Sequence, residues 1–583
     1  MFLRRLEVRN YRGIKSLIWD IPPEKRVLCL VGPGDSGKSS ILSAIHLALG
    51  DKWNPALTDT DFYDGDVQNP IFIRAVVSGL PKSLLKETAF GLWLTGLQQD
   101  GTLTRDPVDC SEPALIVQLE VDSTLEPRWT IERHSDPRDY AELRAHHRRE
   151  FSVFMIDDRI DSHLRWNRTS ALGRLSSKDN GAKNAIASAN RAARDSITGL
   201  DDPDLRALSE RVQSKINEMG GGSFRAIGPG LDTSLSTNGN LALYESTIPM
   251  TNFGVGTKRL AGIGIQQLAA GERSLLLIDE IEYGLEPHRA VALVRYLRTD
   301  SAYSQVFMTT HSSVIVEQAS TESLAIVRNS EGHTRVRTLP SVGGTALRLR
   351  RQRPSSFLAK RILVVEGKTE EGLTLALIEA WDCEQIIAGR AVAAGEGVVV
   401  QDGQGGSEVA PRALVLKALG YEVGIFVDHD DASVDPSVSK AAAASVPVIR
   451  WLAGHNTESQ VIEELDADLL TSFLELASTF RGSKESILDD LRRNYLPSTV
   501  TKLDVDEWLE TAEVNIEGAR EIISDAAAKC GWFKSVDGGR AIGGWLLANA
   551  ARMGDGPVFG ILRDLKAFLY RTASETLENG VEL

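Results

Sequence analysis

The chain has 583 residues, 42% of them hydrophobic and 25% charged, with a formal net charge of −15. That length exceeds what one hydrophobic core serves, so about two to four domains are expected, and no run reaches the eighteen or so apolar residues that a bilayer span needs. The acidic balance excludes coating nucleic acid by bulk charge but leaves room for a local basic groove, because phosphate is bound by patches.

The start, MFLRRLEVRNYRG, reads as a charged strand and not as a signal peptide, so a cytoplasmic protein without a membrane partner is expected. Strands are expected at 2–9 and 26–31, the second feeding a glycine-rich loop and a helix over about 38–49. Further short strands are expected at 71–77, 115–121 and 152–156. Cys29, Cys110, Cys383 and Cys530 are scattered with no C-x-x-C pair, which speaks against a disulfide framework and a zinc site. From about 170 to 220 the pattern is polar and helical; an inserted helical arm and a flexible surface insertion fit it equally. GGGSFRAIGPG, 220–230, returns the chain to strand and turn, and strand–helix alternation resumes over 241–345. TALRLRRQRPSSFLAKR, 345–361, holds six Arg or Lys and no acid, and reads as an interdomain junction. Beyond it, ILVV (362–365), GVVV (397–400), VGIFV (423–427) and VPVIRWL (446–452) alternate with helix-length stretches, the mark of a parallel α/β sheet. From about 470 onward only helical pattern is expected.

GPGDSGKSS, 32–40, matches G-x-x-x-x-G-K-[ST] between an apolar strand, VLCLV, and a helix, the context that motif needs. Glycines let backbone N–H groups wrap phosphates; Lys38 reaches the β and γ oxygens and the Ser39 hydroxyl ligates Mg²⁺. ATP and Mg²⁺ are therefore expected at Gly32, Gly34, Asp35, Ser36, Gly37, Lys38, Ser39 and Ser40. SLLLIDE, 274–280, is an apolar strand ending in Asp279, expected to hold the Mg²⁺, and Glu280, expected to orient or deprotonate the attacking water. QVFMTTHSS, 305–313, ends a further strand at His311, which reads as a γ-phosphate sensor in this company and as a loop histidine alone.

In that order these motifs resemble the ATPases of the ABC and structural-maintenance-of-chromosomes type. NYRGI, 10–14, is similar to that family's first strand and implies that Arg12 lies near the nucleotide. NFGVGTKRLAGIGIQQL, 252–268, stands where the family has its signature helix and departs from Leu-Ser-Gly-Gly while keeping Gly254 and Gly256; EIEYGLEPHR, 280–289, fits the D-loop. The resemblance implies hydrolysis that depends on a homodimer or higher homo-oligomer.

GIFVDHDD, 424–431, runs an apolar strand into three carboxylates, with Asp428 and Asp430 on one face of an extended chain. Like charges held together repel unless a cation joins them. In LVVEGKTEEG, 363–372, Glu366 closes a strand and Glu370 follows one helical turn later. HNTE puts Glu458 at another helix start, where an acid also suits the helix dipole. A lone D-x-D reads as a solvated loop. Jointly, with DGQGG (402–406) as a glycine turn, five acids at the ends of parallel strands are expected to converge as oxygen ligands for Mg²⁺ or Mn²⁺.

That arrangement resembles the Toprim domain, and an ATPase followed by a Toprim domain resembles the OLD (overcoming lysogenisation defect) nucleases. DTDFYDGD (59–66), IDDR (156–159) and Glu370 beside Glu366 fit as well. The resemblance implies an ATPase domain over 1–345 with a dimerisation insertion at 170–225, a basic linker at 346–360, a Toprim domain over 361–470 and a helical region over 471–583 completing it. It implies a two-metal centre of Glu366, Glu370, Asp428, Asp430 and Glu458 that cuts or nicks double-stranded DNA in anti-phage defence or DNA processing, with a second defence-system component among the candidate partners. Lys534, in GWFKSVDGGR, is assigned the neutralising cation; a lysine after two aromatics also fits a snorkelling surface residue. Arg348, Arg350, Arg351 and Arg353 are candidate DNA phosphate contacts. The alternative is an ATP-switched DNA-binding scaffold with structural acids.

Overall fold

The computed structural model describes residues 1–52, 55–108, 111–134, 136–157, 161, 164–166, 172, 175, 203–220, 224, 225, 227–231, 241–269, 274–299, 302–339, 344–493, 496–498, 500–511 and 514–571. The chain forms two compact units, Met1–Val342 and Gly343–Leu583. Among the described residues, no helix is long and apolar enough to cross a membrane.

The first unit is built on one large sheet. Its parallel part runs Val153–Ile156, Ser274–Ile278, Tyr303–Thr309, Val27–Val31 and Leu324–Ser330 in spatial order. Val27–Val31 and Ser274–Ile278 are buried at every position, as strands covered on both faces must be, which is why they read as unbroken apolar runs. The sheet continues through His333–Thr338, antiparallel to Leu324–Ser330 and parallel to Ile14–Asp20, and then antiparallel through Phe2–Tyr11, Ile71–Ser78 and Glu112–Val121. Of the expected insertion, 176–202 lies outside the described residues. Helix Pro203–Glu218 packs on helix Val255–Ala269, and Ile227–Leu231 pairs with Leu241–Glu245 in a small second sheet.

The second unit holds four parallel strands in the order Val398–Asp402, Arg361–Val365, Glu422–Val427, Val448–Arg450. Its first strand in sequence thus lies between the second and third, and strand order reverses there, the crevice where open parallel sheets form sites. Among the described residues, helices follow the last strand from Thr457–Glu463 to Pro557–Tyr570. One core joins sheet and helices: Leu363, Val365 and Phe426 share it with Phe473, Trp508, Leu546 and Leu565.

The stretch expected as a basic linker is not bare chain. It folds as helix Gly344–Gln352 and a tight turn Pro354–Leu358, because Ala346, Leu349 and Phe357 have apolar surface to bury. Three of its arginines are engaged within the unit, Arg348 with Glu408 at 3.4 Å, Arg353 with Glu371 at 2.9 Å and Arg350 by burial, while Arg351 is exposed.

Candidate functional site

In the first unit the loop between Val27–Val31 and helix Lys38–Leu49 turns on residues in the left-handed region, Asp35 at φ 57° and Gly37 at φ 92°. Lys38 is buried and its Nζ donates inward to the carbonyls of Gly32 (3.0 Å) and Pro33 (2.6 Å). Burial lowers its pKa to about 8, against the opposing pull of Asp279, Asp35, Glu280 and Glu282. Ser39 Oγ donates to Asp279 Oδ1 at 2.9 Å, and Thr309 Oγ1 donates to the same oxygen at 2.6 Å. The motif serine and the strand-end aspartate are therefore in direct contact. Glu280 is exposed beside them at φ 47°, its N–H donating to Thr309 Oγ1. Arg12 is held by Asp61, its Nε donating to Oδ1 at 2.9 Å. Gly34 and Asp35 are exposed, Ser36 Oγ closes the turn onto the Pro33 carbonyl at 2.9 Å, and Ser40 is half-buried.

His311 is exposed, and its backbone N–H donates to Glu282 Oε1 at 2.6 Å. Glu282 also accepts from Thr310 Oγ1 at 2.7 Å and so fixes the histidine loop, a part no motif announced. Arg259 was missed as well. It is buried in helix Val255–Ala269, and its guanidinium donates to the Asp279 carbonyl. Gly256 in that helix is a close-approach glycine: a Cβ there would stand 2.2 Å from the Gly284 carbonyl of the expected D-loop. Gly254 has open space around it.

In the second unit the switch-point strands place Glu366 and Asp428 side by side. The N–H of Asp428 donates to Glu366 Oε2 at 3.0 Å, and Gly405 N–H donates to the Glu366 carbonyl at 2.8 Å, so the DGQGG turn holds the first acid. Glu370 is buried on the first turn of the following helix; its Oε2 accepts from Gly367 N–H at 2.9 Å and its Oε1 from Thr457 Oγ1 at 2.8 Å. Thr457 also donates its backbone N–H to Asp428 Oδ1 at 3.2 Å, and Trp451 Nε1 donates to its hydroxyl at 2.9 Å. This threonine ties Glu370 to Asp428. Its only sequence mark was its place before Glu458 in HNTE. Asp430 accepts from Asn456 Nδ2 at 3.4 Å, and Asp431 turns away to solvent, accepting from Ser433 N–H at 2.8 Å.

The acids load one another. Burial first, then the charges of Glu370, Glu366, Glu458 and Asp430, lift Asp428 well above the usual carboxylate range. Burial also raises Glu366, with Glu370 and Asp430 adding to it against the bond from Asp428 N–H. Burial raises Glu370, opposed by its hydrogen bonds and by Lys534. Glu458 is 3% exposed and is pushed up to about 7 by burial and then by Glu370. Its Oε1 is buried without a hydrogen-bond partner. Lys534 is exposed, on the turn before helix Val536–Met553, and its charge reaches both Glu370 and Glu458. That turn is brought in by helix Lys368–Ile387 crossing Val536–Met553 at glycines: a Cβ on Gly372 would lie 2.0 Å from the Val536 carbonyl, and one on Gly539 2.0 Å from the Thr369 carbonyl.

The donor set is all oxygen and carries excess negative charge, and the orphaned Glu458 oxygen is a buried acceptor with nothing to accept from; both fit a hard divalent cation. Among the described residues, however, no three His, Cys, Asp or Glu side chains are posed so as to hold an ion as they stand.

Residues 27–317 match the family model described as "AAA domain, putative AbiEii toxin, Type IV TA system". The OLD nuclease of Thermus scotoductus is 24% identical over 470 residues, which cover 74% of this chain and 83% of that protein. Among solved structures, a crystal structure of the SmcHead bound to the C-winged helix domain of ScpA is 14% identical and covers 58% of this chain and 98% of its own, with a TM-score of 0.38. The SMC head domain from Thermotoga maritima is 14% identical and covers 58% of this chain and 100% of its own, with a TM-score of 0.30.

Proposed function

We infer that this chain, similar to the OLD nuclease of Thermus scotoductus, is an ATPase-nuclease of that type, and we propose that it is a metal-dependent DNA endonuclease or nickase whose cutting answers to ATP. The observation that carries the proposal is the mutual loading of Glu366, Glu370, Asp428 and Glu458 at the switch point, with one buried carboxylate oxygen left unpaired. Mg²⁺ or Mn²⁺ held by these acids and Asp430 would activate water and stabilise the leaving oxygen of a phosphodiester. Glu366 and Asp428, on adjacent strand ends, set the floor of the site. Thr457 orients Glu370 and Asp428 toward a common point. Lys534 stands ready to offset charge developing on the phosphate.

In the first unit Lys38, Ser39 and Asp279 bind ATP and its Mg²⁺, Glu280 orients water, His311 reports the γ-phosphate and Arg12 lies along the nucleotide. Double-stranded DNA is the proposed substrate and a homodimer or higher homo-oligomer the working form, in the cytoplasm, in anti-phage defence or DNA processing, with a second defence component as a further partner. Plasmid cleavage in Mg²⁺ or Mn²⁺, parent against Asp428→Ala, tests the nuclease assignment. Loss of cutting in the variant is expected, and equal cutting removes it.

A second function, an ATP-switched DNA-binding scaffold, is favoured by one observation: the acids are not posed to hold an ion as they stand. It predicts ATP turnover with no cleavage under any divalent cation, and indifference to Glu366→Ala.

A further inference from the structure

Beneath the Lys534 turn lies a charged group that the chemistry above does not use. Asp490, on helix Lys484–Arg493, has a side chain only 1% exposed. Its Oδ2 accepts from Arg481 Nε at 2.8 Å and from Trp532 Nε1 at 3.1 Å; its Oδ1 accepts from Arg481 Nη2 and Arg493 Nη1, each at 3.1 Å. The Cys530 thiol donates to it too. Replacing the whole pair by well-packed apolar residues of similar volume would cost little stability, since desolvation offsets most of its attraction, whereas removing Asp490 alone would leave the buried Trp532 N–H and the arginines without their acceptor. What the carboxylate adds is direction: it fixes the plane of the Trp532 indole.

Trp532 and Phe533 are the buried residues just before exposed Lys534. The Phe533 carbonyl accepts from Thr369 Oγ1 at 3.1 Å, one residue from Glu370, and its ring meets Phe473 and Phe480 at 5.2 and 5.7 Å. The lysine is thus set at the end of a turn clamped on one side by Asp490 and on the other by the helix that carries Glu370.

We propose that Asp490 is a positioning residue of the nuclease centre, acting through the Trp532 indole to hold Lys534 toward Glu370 and Glu458. The proposal rests on the nuclease assignment above. Asp490 touches no substrate and no reacting atom; its effect passes wholly through the turn.

The test is a double-mutant cycle in the full chain, read as kcat and KM for plasmid cleavage in Mn²⁺, with thermal melting and ATP turnover alongside. Trp532→Phe keeps an aromatic side chain, removes the N–H donor and loses some bulk. It is expected to lower kcat roughly tenfold, the cost of a slightly misplaced catalytic group, with KM and ATP turnover near the parent and melting lowered modestly by the lost bulk. In a Lys534→Ala background the same change is expected to cost less than twofold, since the positioned group is gone. Asp490→Asn is expected to behave in the same way; if it does not fold, Trp532→Phe decides alone. Losses that multiply fully across the cycle, or an unchanged kcat in Trp532→Phe, overturn the proposal. A parent that cuts while Lys534→Ala cuts equally overturns it and leaves the nuclease assignment standing. A parent that cuts with no metal removes both.

Discussion

The nucleotide loop and the carboxylate centre both lie where parallel strands end, yet one is satisfied and the other is under load. In the loop, Lys38 donates to two carbonyls of its own turn and Asp279 accepts from Ser39 and Thr309, so charge and hydrogen bonds close locally. In the second centre the acids face one exposed lysine, and burial with mutual repulsion lifts Asp428 well above the usual carboxylate range and Glu458 to about 7. A preformed cradle admits a ligand by exchanging contacts it already makes. A loaded cluster gains only when a cation arrives, and its stability and its function oppose each other until then.

The largest expected effect separates the two regions. Lys38→Ala should lower ATP turnover by about a thousandfold, the upper range for losing one aimed electrostatic group, as read by phosphate release. Mn²⁺-dependent cutting in the absence of nucleotide should stay near the parent. If that cutting falls equally, the two regions are one machine even without ATP.

Next comes the frame of the acid cluster. Thr457→Val keeps the shape and removes the hydroxyl between Trp451 and Glu370; Mn²⁺ affinity by calorimetry should fall roughly 10- to 100-fold, the usual cost of losing a group that orients a metal ligand. Thr457→Ser should restore it. A valine variant that binds Mn²⁺ like the parent would mean that the acids orient themselves.

How far each region was legible in the sequence follows the same division. The phosphate loop is contiguous, so Gly32, Gly37 and Lys38 announce it together, and helix Lys38–Leu49 starts where the motif demands. Glu366, Asp428 and Glu458 could be grouped from the sequence because each ends a strand or opens a helix, and strand ends meet at one edge. Thr457, Arg259 and Glu282 were missed because their roles exist only through partners 20 or more residues away. Strands Ile14–Asp20, Pro127–Arg133 and Asp136–Glu142 were also missed. They lie in the antiparallel part of the sheet, and the first alternates buried and exposed residues instead of forming an apolar run. The basic stretch at 346–360 misled for a related reason: its arginines hid the short apolar face formed by Ala346 and Leu349.

A smaller effect comes from pH. Glu458 folds with its pKa raised to about 7 from an ordinary value of 4.5. Between those values the folded protein keeps a proton that the unfolded chain releases, so metal-free stability should fall as pH rises through that window. Metal must displace the same proton. Mn²⁺ affinity should therefore climb by up to about tenfold per pH unit below 7 and flatten above it. Glu458→Gln should remove that group's share of the slope. A parent affinity that is flat from pH 6 to 8 would show that no buried acid of this cluster binds the cation.

The smallest expected effect is also the most pointed, because it compares neighbours. Asp430 and Asp431 are adjacent and both exposed on the bend after strand Glu422–Val427, which replaces the extended chain expected there, and Asp430 faces Asn456 while Asp431 faces Ser433. Asp431 is exposed, and its carboxylate is held below the usual range by its bonds from Ser433, which close a turn facing solvent. Asp431→Ala should change Mn²⁺ affinity and cutting less than about twofold, whereas Asp430→Ala should cost tenfold or more, as a lost ligand does. Both variants keep the strand Glu422–Val427 that delivers them, so a common folding defect does not produce the difference. Equal losses at the two positions would mean that the cluster acts by its summed negative field, with no side chain assigned to the ion by the face on which it stands.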